Sequence, residues 1–210
     1  MKAYYKERAP VYDEVYSYPE RQEDLRFLEE YIPGQFEDRD VIEVAAGTGY
    51  WTQFIAPRSR SILATDANTE VLREMERRSI GNSVQKQVVD AYSIDELPGT
   101  YNGAFAGLWL SHVPKQKIPE FLGKVHQLLC PQATVMFIDN SVAQCTRLPL
   151  SHADEDGNTY QDRTLENGKT YRVLKNFPTQ SELMEVAGKL GTDHKFIELE
   201  HFWLFQYSTN

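Results

Sequence analysis

Two periods of hydrophobicity alternate along this chain. Short, nearly continuous apolar runs at Asp40–Ala46, Ser61–Thr65, Ser83–Val89, Ala104–Leu110 and Ala133–Ile138 read as strands. The run Ala104–Leu110 is almost unbroken, as a strand covered on both faces should be. Helical spacing separates them: Tyr50–Ile55, the charged stretch Thr69–Arg78, and most clearly Ile118, Phe121, Leu122, Val125, Leu128 and Leu129. Cys130-Pro131 is expected to end that last helix, and Gly81-Asn82 to turn into the third strand. Ahead of the first strand, Val11–Ser17 predicts a short helix. A longer one follows over Pro19–Tyr31, with Leu25, Phe27, Leu28 and Tyr31 on one side and Pro33-Gly34 as its stop.

Strands and helices in alternation predict an α/β fold with a doubly wound sheet and right-handed crossovers, in a single domain over 1–210. Residues 140–175 depart from the alternation. Their first half is polar, with Asp154-Glu155-Asp156-Gly157. Their second half predicts a β-hairpin, Asp162–Leu165 and Lys169–Leu174 around Glu166-Asn167-Gly168. A helix over Thr179–Leu190, capped by Gly191, precedes two closing strands, Lys195–Leu199 and Phe202–Tyr207.

Composition narrows the class. With 210 residues, 41% hydrophobic and 25% charged, the chain can bury a substantial core. No apolar stretch has the length of a membrane span, and Met1–Arg8 lacks the apolar centre of a signal peptide. Cys130 and Cys145 form neither a disulfide framework nor a metal-ligand cluster. The expectation is a cytoplasmic protein, monomer or homodimer, with no metal and no membrane contact. The formal net charge of −9 argues against a nucleic-acid partner, because such binding depends on neutralising phosphates.

The chemistry concentrates in Val41–Thr52, where an apolar run carrying Glu43 breaks into Gly47-Thr48-Gly49. Gly47 and Gly49 let the backbone turn sharply and approach a ligand closely. Strand, glycine turn and helix in that order open a nucleotide-binding α/β domain, with the ligand at the carboxyl end of the strand. An acid just before the glycines suits a cationic ligand better than a pyrophosphate. Asp66 and Asp90 end the second and third strands, and a carboxylate at Asp66 can accept from two ribose hydroxyls. An NAD-dependent oxidoreductase is the competing reading. It asks for a third glycine where Thr52 stands and leaves Glu43 unexplained. A polyamine-synthase-type enzyme would need a paired-acid loop after the fourth strand, and the sequence has none there.

Glu43 with Gly47 and Gly49, followed by Asp66 and Asp90, resembles the E/D-x-x-x-G-x-G signature of class I S-adenosylmethionine (SAM)-dependent methyltransferases. The resemblance implies a Rossmann-like seven-stranded sheet whose last strand is antiparallel. It places Glu43, Gly47 and Gly49 near the methionine ammonium of SAM, Asp66 on the ribose, and Ala67 along the adenine. Asp90 would accept from the adenine amino group and the N–H of Ala91 would address the ring, with Ala45, Thr52, Tyr92 and Leu108 completing the cofactor site. The stretch from Tyr4 to Asp13, Tyr-Tyr-Lys-Glu-Arg-Ala-Pro-Val-Tyr-Asp, resembles the Y-x-x-R-A-x-x-Y-D opening of many small-molecule methyltransferases, including the ubiquinone/menaquinone-biosynthesis type. That implies an N-terminal helical lid over 1–33, with Arg8 on the methionine carboxylate and Tyr12 over the methionine portion.

Within this resemblance, the segment after the fourth strand, Leu108-Trp109-Leu110-Ser111-His112-Val113-Pro114, lies beside the transferable methyl. His112 has the right intrinsic pKa for a general base, and otherwise would cap the next helix or pack. The segment lacks the D/N-P-P-Y/F run of DNA and release-factor amino-methyltransferases. The insertion at 140–175 is expected over the acceptor, where Arg163, Tyr171, Arg172 and Lys175 would meet an acidic or aromatic molecule and Tyr4, Tyr5 and Trp109 would supply stacking walls. The function implied is methyl transfer from SAM to a small-molecule acceptor, oxygen favoured over nitrogen on the strength of His112. A SAM-binding protein without turnover is the alternative.

Overall fold

A computed structural model describes residues 2–78, 80–81 and 83–210. The strands β1 (Asp40–Glu43), β2 (Ser61–Asp66), β3 (Val84–Val88), β4 (Tyr101–Gly107) and β5 (Leu129–Asn140) run parallel. Three strands, β6 (His152–Ala153), β7 (Thr159–Thr164) and β8 (Thr170–Leu174), form a separate small antiparallel sheet. The last two, β9 (Gly191–Glu198) and β10 (Phe202–Thr209), return to the main sheet. Its order is β3-β2-β1-β4-β5-β10-β9, with β10 antiparallel to both neighbours. This is the expected doubly wound, seven-stranded α/β sheet.

The helices cover both faces: α1 (Lys2–Arg8), α2 (Gln22–Gln35), α3 (Thr52–Ile55), α4 (Thr69–Glu74), α5 (Ile118–His126) and α6 (Gln180–Ala187). Alternation along β5 divides the core. Val135 and Phe137 face Phe121, Val125 and Leu183 of α5 and α6, while Met136 and Ile138 face the side covered by Leu25, Leu28 and Ile32 of α2. Thr179 caps α6 with a reciprocal box, its Oγ accepting from Glu182 N while Glu182 accepts from Thr179 N.

Several boundaries differ from the sequence pattern. β1 stops at Glu43, because Ala45 already takes a left-handed φ of 54°. β4 ends at Gly107 rather than Leu110, since Leu108 has φ 56° and Leu110–His112 form a 3-10 turn. α2 runs through Pro33-Gly34 to Gln35: Ile32, Pro33 and Phe36 are buried, and that burial holds the last turn in place. α5 closes at His126, and Cys130-Pro131 belongs to β5, where the register with β4 shifts. Gly188, not Gly191, caps α6. Gly191 opens β9 instead, where a Cβ would sit 2.1 Å from the Ser208 carbonyl oxygen, so only glycine lets these strands approach. The hairpin is present as β7 and β8, extended by β6 to three strands. The expected turn at Gly81-Asn82 falls partly on Asn82, outside the described residues. The hydrophobic pattern marks no helix over Lys2–Arg8, where α1 forms; only the resemblance implied helical structure there.

Candidate active site

The strand order reverses between β1 and β4, and at such a switch point the loops from the carboxyl ends part to leave a crevice. Here the crevice is a cleft of about 170 Å³. The loop after β1 contributes Ala45 and Gly47, the loop after β2 Asp66, Ala67 and Asn68, and the loop after β3 Val89, Asp90, Ala91 and Tyr92. Gly107, Leu108 and Trp109 come from the end of β4, and Lys2, Tyr5 and Tyr12 from the N-terminal segment. Gly47 holds φ 60°, and its N–H donates to Asp66 Oδ2 at 3.1 Å while Asn68 N donates to Oδ1 at 2.8 Å. These bonds fix the Asp66 carboxylate at the rim. Burial pushes its carboxyl pKa up, and the backbone donors oppose that. Asp90 accepts from Tyr92 N at 3.0 Å, which holds the loop after β3.

A second cavity of about 40 Å³ adjoins the first. Tyr5, Tyr12, Leu108 and His112 line both. Beyond this common wall, the smaller cavity is bounded by Arg8, Arg21, Arg147, Arg163 and Lys175, with Asn140 and Gln144.

His112 sits at the junction, 4% exposed. Its Nδ1 lies 2.5 Å from the Leu174 carbonyl oxygen. A carbonyl only accepts, so Nδ1 carries the proton and Nε2 is the bare nitrogen. Tyr5 Oη donates to that Nε2 at 2.7 Å. Burial, reinforced by the positive charges of Lys175 and Arg163, pulls the His112 pKa well below its ordinary value and keeps the ring neutral. Lys175 Nζ, 1% exposed, donates to Asp139 Oδ1 at 2.7 Å and Ser111 Oγ at 2.8 Å. Ser111 N in turn donates to Asp139 Oδ2 at 2.9 Å. This pair locks the turn that carries His112 onto β5 and β8.

The structure redistributes several of the sequence-predicted residues. Glu43 does not line the cleft. It is 1% exposed and accepts from Thr52 Oγ1 at 2.7 Å, so both side chains brace the strand–helix turn from beneath. Burial raises the Glu43 pKa to about 8. Gly49 supports the turn with φ 77° but also lies off the cleft, packed against Met75. Arg8 lines the second cavity and not the first, donating to Tyr4 Oη at 2.7 Å. Trp109 lines the nucleotide cleft instead of the second cavity, and its buried Nε1 has no partner among the described residues. Tyr4 is buried behind the lining, while Tyr171 donates to Glu7 at 2.7 Å and reaches neither cavity. Arg172 is exposed on the hairpin and pairs with Asp162 at 3.0 Å. Arg21, Arg147, Asn140 and Gln144 had no distinguishing signal in the sequence. Among the described residues no three potential metal ligands converge, and Asp154 is bonded by Asn158 and Tyr160. Among the described residues no helix is long and apolar enough to cross a membrane.

The cradle fits SAM: a left-handed glycine turn, carboxylates at the ends of β2 and β3, and an unpartnered indole N–H in one cleft. Residues 41–132 match the sequence profile of a family described as "Methyltransferase domain". With the seven-stranded fold and the cleft that fits SAM, this match supports a class I SAM-dependent methyltransferase. Among solved structures, a complex of DhpI with SAH superposes with a TM-score of 0.81 at 26% identity, over 100% of this chain and 95% of that one. A DhpI–SAM–HEP complex gives 0.80 at 25% identity, over 97% and 94%. The PH0226 protein from Pyrococcus horikoshii OT3 shares the fold at 13% identity, with a TM-score of 0.73 over 92% of each chain. No curated protein matches by sequence.

Proposed function

We propose that this methyltransferase moves the methyl group of SAM onto an oxygen of a small-molecule acceptor seated in the second cavity. When bound, SAM supplies a methyl group activated by a sulfonium. The single observation that carries the reading is the common wall of Tyr5, Tyr12, Leu108 and His112 between a nucleotide cleft and a smaller adjoining cavity. Two compartments meeting at one narrow wall are what an in-line displacement needs, because most of its catalysis comes from holding nucleophile and carbon in contact.

In this reading Asp66 holds the ribose and Asp90 with Ala91 holds the adenine. Ala45 and Gly47 pass the methionine portion, with Tyr12 over it. Tyr5 and His112 orient the acceptor. His112 keeps an unprotonated Nε2 at the junction, but its depressed pKa makes it a weak proton acceptor, so positioning rather than proton removal is its role. The N-terminal segment through Tyr12 serves as the lid over both cavities, and residues 140–175 close the acceptor side.

The test is a two-stage assay. Calorimetry with S-adenosylhomocysteine first measures nucleotide binding. Isotope-labelled SAM is then incubated with a panel of small oxygen acceptors and the products are resolved by mass spectrometry. Labelled O-methyl product establishes the reading, whereas tight nucleotide binding with label transferred only to amines overturns it.

A further inference from the structure

The second cavity is strongly cationic in a protein whose net charge is −9. Two of its five positive side chains are neutralised: Lys175 by Asp139 at 2.7 Å, and Arg147 by Glu20 at 2.7 Å. The other three have no carboxylate in ion-pair range among the described residues. Arg163, 6% exposed, spends its Nε and Nη2 on Gln161 Oε1 and turns Nη1 toward Tyr5 Oη at 3.4 Å. Arg21, 4% exposed, reaches only the Val15 carbonyl at 3.3 Å and lies over the rings of Tyr18 and Phe202. Arg8 donates to Tyr4 and lies against the Tyr4 and Tyr12 rings. Each guanidinium carries five donors, and neutral acceptors take few of them here. A buried charge without a counter-charge is costly, so proteins seldom keep one unless something pairs with it.

We infer that the acceptor is a compact, doubly charged oxyanion, clamped by Arg8, Arg21 and Arg163 and methylated on one of its own oxygens. The inference rests on the methyl-transfer reading above and names its substrate class. Three unpaired cations exceed what a single carboxylate neutralises, and planar guanidinium forks match the paired oxygens of a tetrahedral oxyanion. The small free volume of about 40 Å³ suits a compact acceptor. Asn140 Oδ1 and Gln144 Oε1, buried and without partners, give the same cavity two sites for a hydroxyl or N–H on the acceptor. An ionised oxygen attacks the methyl carbon as the carbon–sulfur bond breaks, and the bonding pair stays on sulfur. No proton has to move, which agrees with a junction histidine that is neutral and already engaged by Tyr5.

The experiment is calorimetry on protein already saturated with S-adenosylhomocysteine, titrated with inorganic phosphate, acetate and ethylene glycol in turn. Saturation with the nucleotide is verified first, so failure of the cofactor reading shows at that stage and separately. The expected result is saturable phosphate binding at least tenfold tighter than acetate, with no binding of the glycol. Arg163→Gln and Arg8→Gln should each weaken phosphate at least tenfold, and Arg60→Gln, on the exposed pair with Asp40, should not. Should the Arg163 variant fail to fold, the Arg8 variant on the lid carries the same comparison. Equal binding of acetate and phosphate, no phosphate binding, or full affinity in the arginine variants would each overturn the inference.

Discussion

Tyr5 Oη donates to His112 Nε2 at 2.7 Å, tying the first helix of the chain to the turn that follows the fourth strand. The two residues are far apart in sequence and together line two adjoining cavities. Replacing Tyr5 by Phe keeps the ring and removes the donor, leaving a buried nitrogen unpaired. The expected loss is about 1–3 kcal/mol in urea denaturation. Methyl-transfer rate should fall while S-adenosylhomocysteine affinity changes less than about threefold, because the ring that lines the nucleotide cleft is kept.

Asp66 is held by two backbone N–H groups at the rim of the nucleotide cleft. Asp66→Ala removes the carboxylate proposed to accept from two ribose hydroxyls. Charge-assisted bonds of this kind contribute about 1.5–3 kcal/mol each. S-adenosylhomocysteine should therefore bind at least roughly tenfold more weakly, read directly by calorimetry.

Glu43 makes stability depend on pH. Burial raises its pKa from an ordinary 4.5 to about 8, so between those values the folded chain holds a proton that the unfolded chain has released. Stability from this group is present below about pH 4.5 and is lost as pH rises through 8, with a slope near 1.4 kcal/mol per pH unit. Glu43→Gln keeps a partner for Thr52 and cannot ionise. Chemical denaturation at pH 5.5 and 7.5 should show the variant gaining about 2–3 kcal/mol on the parent over that interval. Parallel curves would refute the assignment.

The Lys175–Asp139 pair is fully enclosed. Asp139→Asn would leave a buried ammonium without its counter-charge, at a cost of about 3–5 kcal/mol. Adding Lys175→Met should recover part of that loss, since the double variant buries no lone charge. A double-mutant cycle in urea measures the coupling, and strict additivity would show that the pair does not act as a unit.

Much of the frame is legible in the sequence, because a strand buried on both faces and an amphipathic helix announce themselves by period. The glycine turn and the acids ending β2 and β3 follow from the same pattern, since a strand's carboxyl end in this fold faces the ligand. Tertiary contact decides the remainder. Lys2–Arg8 shows no apolar helical face, and its helix is held by Tyr5 on His112, Lys6 on Glu70 and Glu7 on Lys169. Arg21 and Arg147 stand in polar stretches that look like solvated surface, and only the packing of α2 and of the loop after β5 turns them toward one cavity. Glu43 points the other way: its spacing suits a ligand contact, yet the side chain enters the core under Thr52.

Lys2, Tyr5, Arg8 and Tyr12 between them border both compartments, so one short stretch of chain walls donor and acceptor sites alike. Its outer fastenings, Lys6 to Glu70 and Glu7 to Lys169, are exposed ion pairs that salt weakens. On the lid reading proposed above, donor and acceptor exchange are coupled: lifting the segment would uncover both chambers at once, and added salt is expected to ease that opening.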